Sequence, residues 1–169
     1  MTLPTDAGVP EIRLRPIRPE DKDALAAGLA RLSQRSVHQR FLAPKPRLSS
    51  SELRYLTEVD FTDHYALVAV LARRRDVVVG VGRWVRDAQA RGDAEIAIVI
   101  ADDLQGRGVG TRLGVALAAA ARERGVRRFT ASMLPDNRAA HRLFAKISSE
   151  LHLTRHRGVD ERVADLVAA

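Results

Sequence analysis

Cysteine is absent from the 169 residues. That excludes disulfides, thiolate zinc sites and any mechanism in which the protein carries an acyl group on its own sulfur. Aromatic residues amount to 4% and are scattered, which leaves no platform for successive stacked bases. Lysine occurs only at Lys22, Lys45 and Lys146, so the formal net charge of +7 is carried almost wholly by arginine, and no basic run exceeds Arg73 to Arg75. A solvated basic surface open to small anions is therefore favoured over nucleic-acid binding. Long apolar runs are missing too. The longest, around Leu113 to Ala121, is half of the roughly 18 residues that suggest a membrane span. The opening MTLPTDAGVP has no basic n-region and no apolar h-region, so the expectation is cytoplasmic residence with no membrane partner.

What is present suits one globular domain: 46% hydrophobic and 29% charged residues, no internal repeat and no low-complexity linker. Residues 1–10 read as a flexible N-terminus, 11–157 as the domain and 158–169 as a peripheral tail. Ile12, Leu14 and Pro16 alternate with arginines as a strand, and Pro19-Glu20-Asp21 opens a helix carrying Leu25, Leu29 and Leu32. A second helical piece covers Ser36 to Phe41 before Pro44 and Pro46, and Ser49 with Glu52 forms the capping box of a third. Tyr65 to Ala72 and Val77 to Val85 read as a hairpin turned at Arg73 to Asp76. Ala94 to Ala101 is apolar on both faces after Glu95, as a central strand should be. A helix from Gly108 to Arg124, a strand from Val126 to Met133, a helix from Asp136 to Lys146 and a short last strand from Leu151 to Arg155 complete the pattern.

The most informative segment is Gln105-Gly106-Arg107-Gly108-Val109-Gly110-Thr111, between the buried strand and an amphipathic helix. Glycines let the backbone turn tightly with its amides inward, and the helix N-terminus adds partial positive charge, which suits a pyrophosphate. Gly108, Gly110 and Gly114 also spell G-x-G-x-x-x-G, but in a dinucleotide fold the strand runs almost directly into the first glycine. Here Asp102, Asp103, Leu104 and Gln105 intervene.

Q-x-x-G-x-G placed after a strand and before a helix resembles the acetyl-CoA motif of the GNAT superfamily of N-acetyltransferases. Asn137, Ala140, Leu143, Phe144 and Lys146 resemble its second motif, N-x-x-A-x-x-L-[YF]-x-K. More narrowly, IRLRPIRPEDKDAL, FLAPKPRLSSSELRYLTEVDF, ALVAV and GVGRWVRD are similar to the bacterial protein-lysine acetyltransferase branch, over about residues 11 to 147. Ser148 and Ser149 depart from the glycine and aromatic usual there.

The resemblance implies an α/β fold of the α+β type: a mixed sheet of about 6–7 strands, flanked by about 4–5 helices, whose fourth and fifth strands splay around acetyl-CoA. The implied cofactor-binding residues are Val99, Ile100, Ala101, Gln105, Gly106, Arg107, Gly108, Val109, Gly110, Thr111, Asn137 and Phe144, with no metal. An unpaired amide near Ile100 is placed to hydrogen-bond the thioester oxygen. Glu95, in the string AEI ahead of the glycine motif, resembles the catalytic glutamate of lysine acetyltransferases. A base is needed because an amine of pKa near 10.4 is almost wholly protonated at pH 7. A solvated strand-entry role for Glu95 stays open, with His64 as the substitute base. Phe144 stands where many members have a tyrosine, so water or another group must protonate the departing thiolate. The acceptor is a primary amine, a protein lysine or a small molecule. A non-catalytic acetyl-CoA-binding regulatory module is the alternative, and the oligomeric state is not legible.

Overall fold

Apolar alternation in the first half resolves into an antiparallel array. The computed structural model describes residues 8–166. Strand β1 (Ile12–Pro16) pairs with β2 (His64–Leu71), β2 with β3 (Arg74–Arg86) and β3 with β4 (Asp93–Ile100), all antiparallel. Three helices separate β1 from β2: α1 (Lys22–Ala30), α2 (Gln34–Phe41) and α3 (Ser50–Thr57). Their ends follow local chemistry. Ser33 caps α2 by accepting from the Ser36 amide, and Leu42 in the left-handed region ends it. At α3 the expected capping box is complete, Ser49 Oγ accepting from the Glu52 amide at 3.2 Å and Glu52 Oε2 from the Ser49 amide at 2.8 Å.

Helix α4 (Val109–Glu123) carries the chain from β4 to β5 (Arg128–Met133), which runs parallel to β4. Then come α5 (Arg138–Ile147) and the antiparallel pair β6 (Ser148–His156) and β7 (Val159–Leu166). Among the described residues the sheet has seven strands in the order β1-β2-β3-β4-β5-β7-β6. No helix among them is long and apolar enough to cross a membrane.

The two faces of the sheet hold separate cores. Leu113, Leu117 and Ala121 of α4 and Phe144 and Ile147 of α5 pack with Trp84 and Phe129 on one face. Leu25 of α1, with Leu53 and Leu56 of α3, covers Ala66, Val68 and Val70 on the other. Helix α4 lies close to β3 because Gly82 has no side chain: a Cβ there would stand 2.7 Å from Leu117 Cδ1.

The C-terminal expectation needs correction. Residues 159–166 form no peripheral tail but an internal strand, with β5 on one side and β6 on the other. Its core positions are filled by Asp160 and Ala164, both 2% exposed, instead of large apolar residues. Arg155 neutralises Asp160 through Nε at 2.6 Å, which lets a carboxylate occupy a buried strand position. Arg157 and Gly158, with φ of 49° and 78°, supply the tight turn that joins β6 to β7. The strand expected over Leu151 to Arg155 as the last is the longer β6 and is followed by β7, and Asn137, not Asp136, caps α5. The flexible N-terminus expected over residues 1–10 falls mostly outside the described residues, as does the stretch beyond 166.

Candidate active site

Strands β4 and β5 pair only at Asp93↔Arg128, Ala94↔Phe129 and Glu95↔Thr130, although β4 runs on to Ile100 and β5 to Met133. Beyond Glu95 the two diverge, and a cleft of about 600 Å³ opens between them. Antiparallel pairing alternates the direction of the backbone groups. Ala101 N–H donates to Val79 O at 2.8 Å and Asp87 N–H to Asp93 O at 2.9 Å, so the odd-numbered residues of β4 bond to β3. The amides of Ile98 and Ile100 consequently face the cleft, where β5 no longer meets them.

At the open end stands the glycine loop. Gly106 and Gly108 have φ of 72° and 83°, left-handed conformations in which a Cβ is strained. Gly108 is also the N-cap of α4, without a side chain to satisfy the first amides of the helix. These exposed donors at a helix N-terminus, beside a cleft rimmed by Arg142 and Lys146, fit the diphosphate of coenzyme A.

The loop is tied to α2. Asp102 accepts from Ser33 N–H at 2.9 Å, Ser33 Oγ at 2.8 Å and Ser36 Oγ at 2.6 Å. Gln105 Nε2 donates to Ser36 Oγ at 3.1 Å and to Ile100 O at 3.0 Å. Gln105 therefore clamps the end of β4 to α2 with its side chain, a positioning task beside its place in the cleft wall.

Among the anticipated residues, Glu95, Val99, Ile100, Gln105, Gly106, Gly108, Gly110, Thr111, Asn137 and Phe144 line this cleft. Asn137 uses its Oδ1 to cap α5, accepting from the Ala140 amide at 3.2 Å. Three others lie off the lining. The Val109 side chain is 2% exposed and packs into the core, while its amide is among the first of α4; Arg107 is exposed outside the lining, and Ala101 gives its amide to β3 and lines a different cavity. The Val99 amide likewise belongs to the β3 ladder by the same alternation. Motif contiguity suggested these positions, whereas strand alternation and helical rotation turn them elsewhere.

Glu95 is exposed at the closed end of the cleft, where β4 leaves β5. Its side chain shares a sheet face with Ala97 and Val99, and through cross-strand pairing with Arg83 and Val81 of β3. Arg40 and Phe41 of α2 also line the cleft, and Arg40 is close enough to Glu95 to feel its charge. Neither Arg40 nor Asp102 stood out in the sequence. His64 fits a base poorly. Its Nε2 lies 2.8 Å from Arg83 Nη1, which leaves it as the acceptor, and burial and then Arg83 push its pKa down to about 4. His141 is elsewhere, with Nε2 3.2 Å from Leu134 O and 3.6 Å from Asp160.

Residues 11–148 match a family model described as the acetyltransferase (GNAT) domain. The chain is 33% identical over 136 residues to acetyltransferase Pat of Mycolicibacterium smegmatis, covering 80% of this chain and 40% of that protein, and so spans about two fifths of that relative's length. Among solved structures, the GNAT domain of S. lividans PAT superposes with a TM-score of 0.82 at 34% identity, covering 92% of this chain and 90% of that one. The fold extends to yncA of Salmonella typhimurium, solved with its cofactor acetyl-CoA, at a TM-score of 0.68 and 18% identity over 92% of each chain.

Proposed function

Because the chain belongs to the GNAT acetyltransferase family, we propose that it moves an acetyl group from acetyl-CoA directly to a primary amine, with Glu95 as the general base. The observation that carries this reading is the departure of β4 from β5 immediately after Glu95, which sets a carboxylate at the apex of a cleft whose far end is a glycine loop. Bound acetyl-CoA supplies an activated acetyl thioester. Gly106, Gly108 and the first amides of α4 hold the diphosphate, Thr111, Asn137 and Phe144 shape the wall, and Gln105 fixes the clamp between β4 and α2.

Amides of Ile98 and Ile100, unpaired with β5, donate to oxygen as negative charge develops, an interaction whose loss typically costs about 2.7–4 kcal/mol of barrier. Glu95 accepts the proton of the incoming ammonium, directly or through one water. Phe144 has no hydroxyl, so the departing thiolate takes its proton from water. A protein lysine is the acceptor that the likeness to the bacterial protein-lysine branch favours, and direct transfer suits a chain without cysteine.

Glu95→Gln keeps size and removes the base. Turnover should fall by about 10² to 10⁴ at pH 7 with acetyl-CoA affinity unchanged within about threefold, and recover as pH approaches the amine pKa. Equal single-turnover rates for the two proteins at pH 7 would remove Glu95 from the mechanism.

A further inference from the structure

Arg83 projects from β3 into the layer of α1, α2 and α3 and is 5% exposed. A buried guanidinium is costly unless an anion meets it. Its protein partners are both neutral: Leu56 O at 3.1 Å and His64 Nε2 at 2.8 Å. Both bonds use Nη1, so Nε and Nη2 have no hydrogen-bond partner among the described residues. The charge that Arg83 senses most is a like charge, Arg40. Arg40 in turn lies 5.0 Å from the Phe41 ring centroid and makes no ion pair within 4.0 Å among the described residues.

Both arginines border a cavity of about 70 Å³ between the sheet and α1–α3, with Leu25, Leu29, Leu56 and Val81 in its walls. Among the described residues its lining contains no carboxylate, and its charged members, Arg31, Arg40 and Arg83, are all cationic. A single water needs roughly 10–15 Å³ of such space, so a carboxyl group on a short stem can enter. The cavity shares Arg40, Phe41 and Val99 with the main cleft. Arg83 is opposite Ala97 on β4, and Glu95 is two residues earlier on the same face, about 7 Å along the strand.

We propose that Arg83 and Arg40 form a carboxylate-recognition subsite for the acceptor, so that the amine presented to Glu95 belongs to a molecule carrying a carboxylate nearby. The assignment of the amine rests on the acetyl-transfer reading above; the anion site rests on the two arginines. The bound carboxylate completes the donor set that Nε and Nη2 of Arg83 offer and lies between two positive charges that otherwise repel. Apolar walls lower the polarity around the pair and strengthen it. Burial and then Arg40 lower the Arg83 pKa to about 9, and the attraction of an adjacent anion opposes that shift. The carboxylate has two sources with the same chemistry: a free amino acid or related small amine, and an acidic side chain beside a lysine in a polypeptide.

Two matched pairs of probes separate them: 6-aminohexanoate against 6-aminohexanamide, and acetyl-Ala-Lys-Glu-amide against acetyl-Ala-Lys-Gln-amide. Titration in the presence of coenzyme A, followed by the arginine side-chain ¹⁵N resonances, reads binding whether or not acetyl transfer occurs. The carboxylated member of at least one pair should bind about tenfold or more tightly, with the Arg83 resonance responding. Preference in the first pair assigns a small acid, and preference in the second an acidic neighbour in a peptide. Arg83→Gln should bring the ratio to about one, and Arg40→Gln, at a half-buried helix position, should reduce it should the first variant fail to fold. Equal affinity within both pairs in the unaltered protein overturns the subsite. Carboxylate-selective binding with no acetylated product, by contrast, retains the subsite and overturns the transfer reading.

Discussion

Helix α4 covers one face of the sheet with an apolar stripe, whereas α1, α2 and α3 cover the other around buried cations. The first face meets its expected ligand with backbone: left-handed glycines, the bare N-terminus of α4 and the amides of Ile98 and Ile100. The second offers side chains gathered from separate elements, Glu95 from β4, Arg83 from β3 and Arg40 from α2. Backbone recognition tolerates little change in conformation but almost any surrounding side chain. Side-chain recognition tolerates conformational change poorly as well, yet can be rewritten one residue at a time. A shared acetyl donor and a variable acceptor call for that division.

The largest effect should follow from Gly108→Val, because a β-branched residue resists a φ of 83°. Calorimetry should show acetyl-CoA affinity falling roughly tenfold or more, and undiminished affinity in a folded variant would end the backbone account of that face. Asp102→Ala attacks the joint between the faces by removing the acceptor of three hydrogen bonds to Ser33 and Ser36. A loss of about 1 kcal/mol is expected after allowance for solvent exposure, read as about 2–4 °C in Tm. Burial alone would raise the Asp102 pKa, but the bonds from Ser36 and Ser33 outweigh it and the pKa is lowered. Its contribution is therefore complete above the ordinary carboxylate range and disappears as pH falls below about 4, so the two proteins should converge in acid.

His64 tests the acceptor face through pH alone. Its folded pKa of about 4 is below the ordinary value of 6.5, so the unfolded chain takes up the proton first as pH falls. Stability linked to this group is intact above pH 6.5 and declines between 6.5 and about 4. His64→Gln should flatten that part of a Tm-against-pH curve, and an unchanged slope would show that His64 titrates normally. The smallest effect belongs to Gly110→Ala. A Cβ there meets Leu143 Cδ2 at 3.5 Å, ordinary contact without a left-handed φ, so affinity should change less than about threefold. A loss as large as that of Gly108→Val would move the strict requirement from conformation to space.

Strands β1 to β4 and helix α4 were legible because their apolar residues keep the period of the element, and the glycine loop because its position between them is distinctive. Strand β7 was not. Val-Asp-Glu-Arg-Val-Ala-Asp-Leu carries its buried positions on Asp160 and Ala164, and the neutralising Arg155 comes from the neighbouring strand. Arg157-Gly158 was the available signal, a pair able to take positive φ between two short alternating runs. Asp136 and Asn137 are equally good caps, and only the backbone chooses between them. Arg40 and Arg83 carry no signal in the sequence, since nothing in their spacing reveals that pairing of β3 with β4 and the seating of α2 bring them to one cavity.

The order in which the C-terminal strands join the sheet also constrains how the chain is made. Strand β6 is synthesised before β7 but, among the described residues, hydrogen-bonds to the sheet only through it. Until residues 159–166 are translated, β6 has no docking edge and β5 keeps one side open, with the apolar side of α5 waiting beside it. The cleft wall formed by β5 and α5 is therefore complete only once residues 159–166 have docked, and a chain shortened to end before residue 159 should present a β5 edge open to strand exchange and to chaperones.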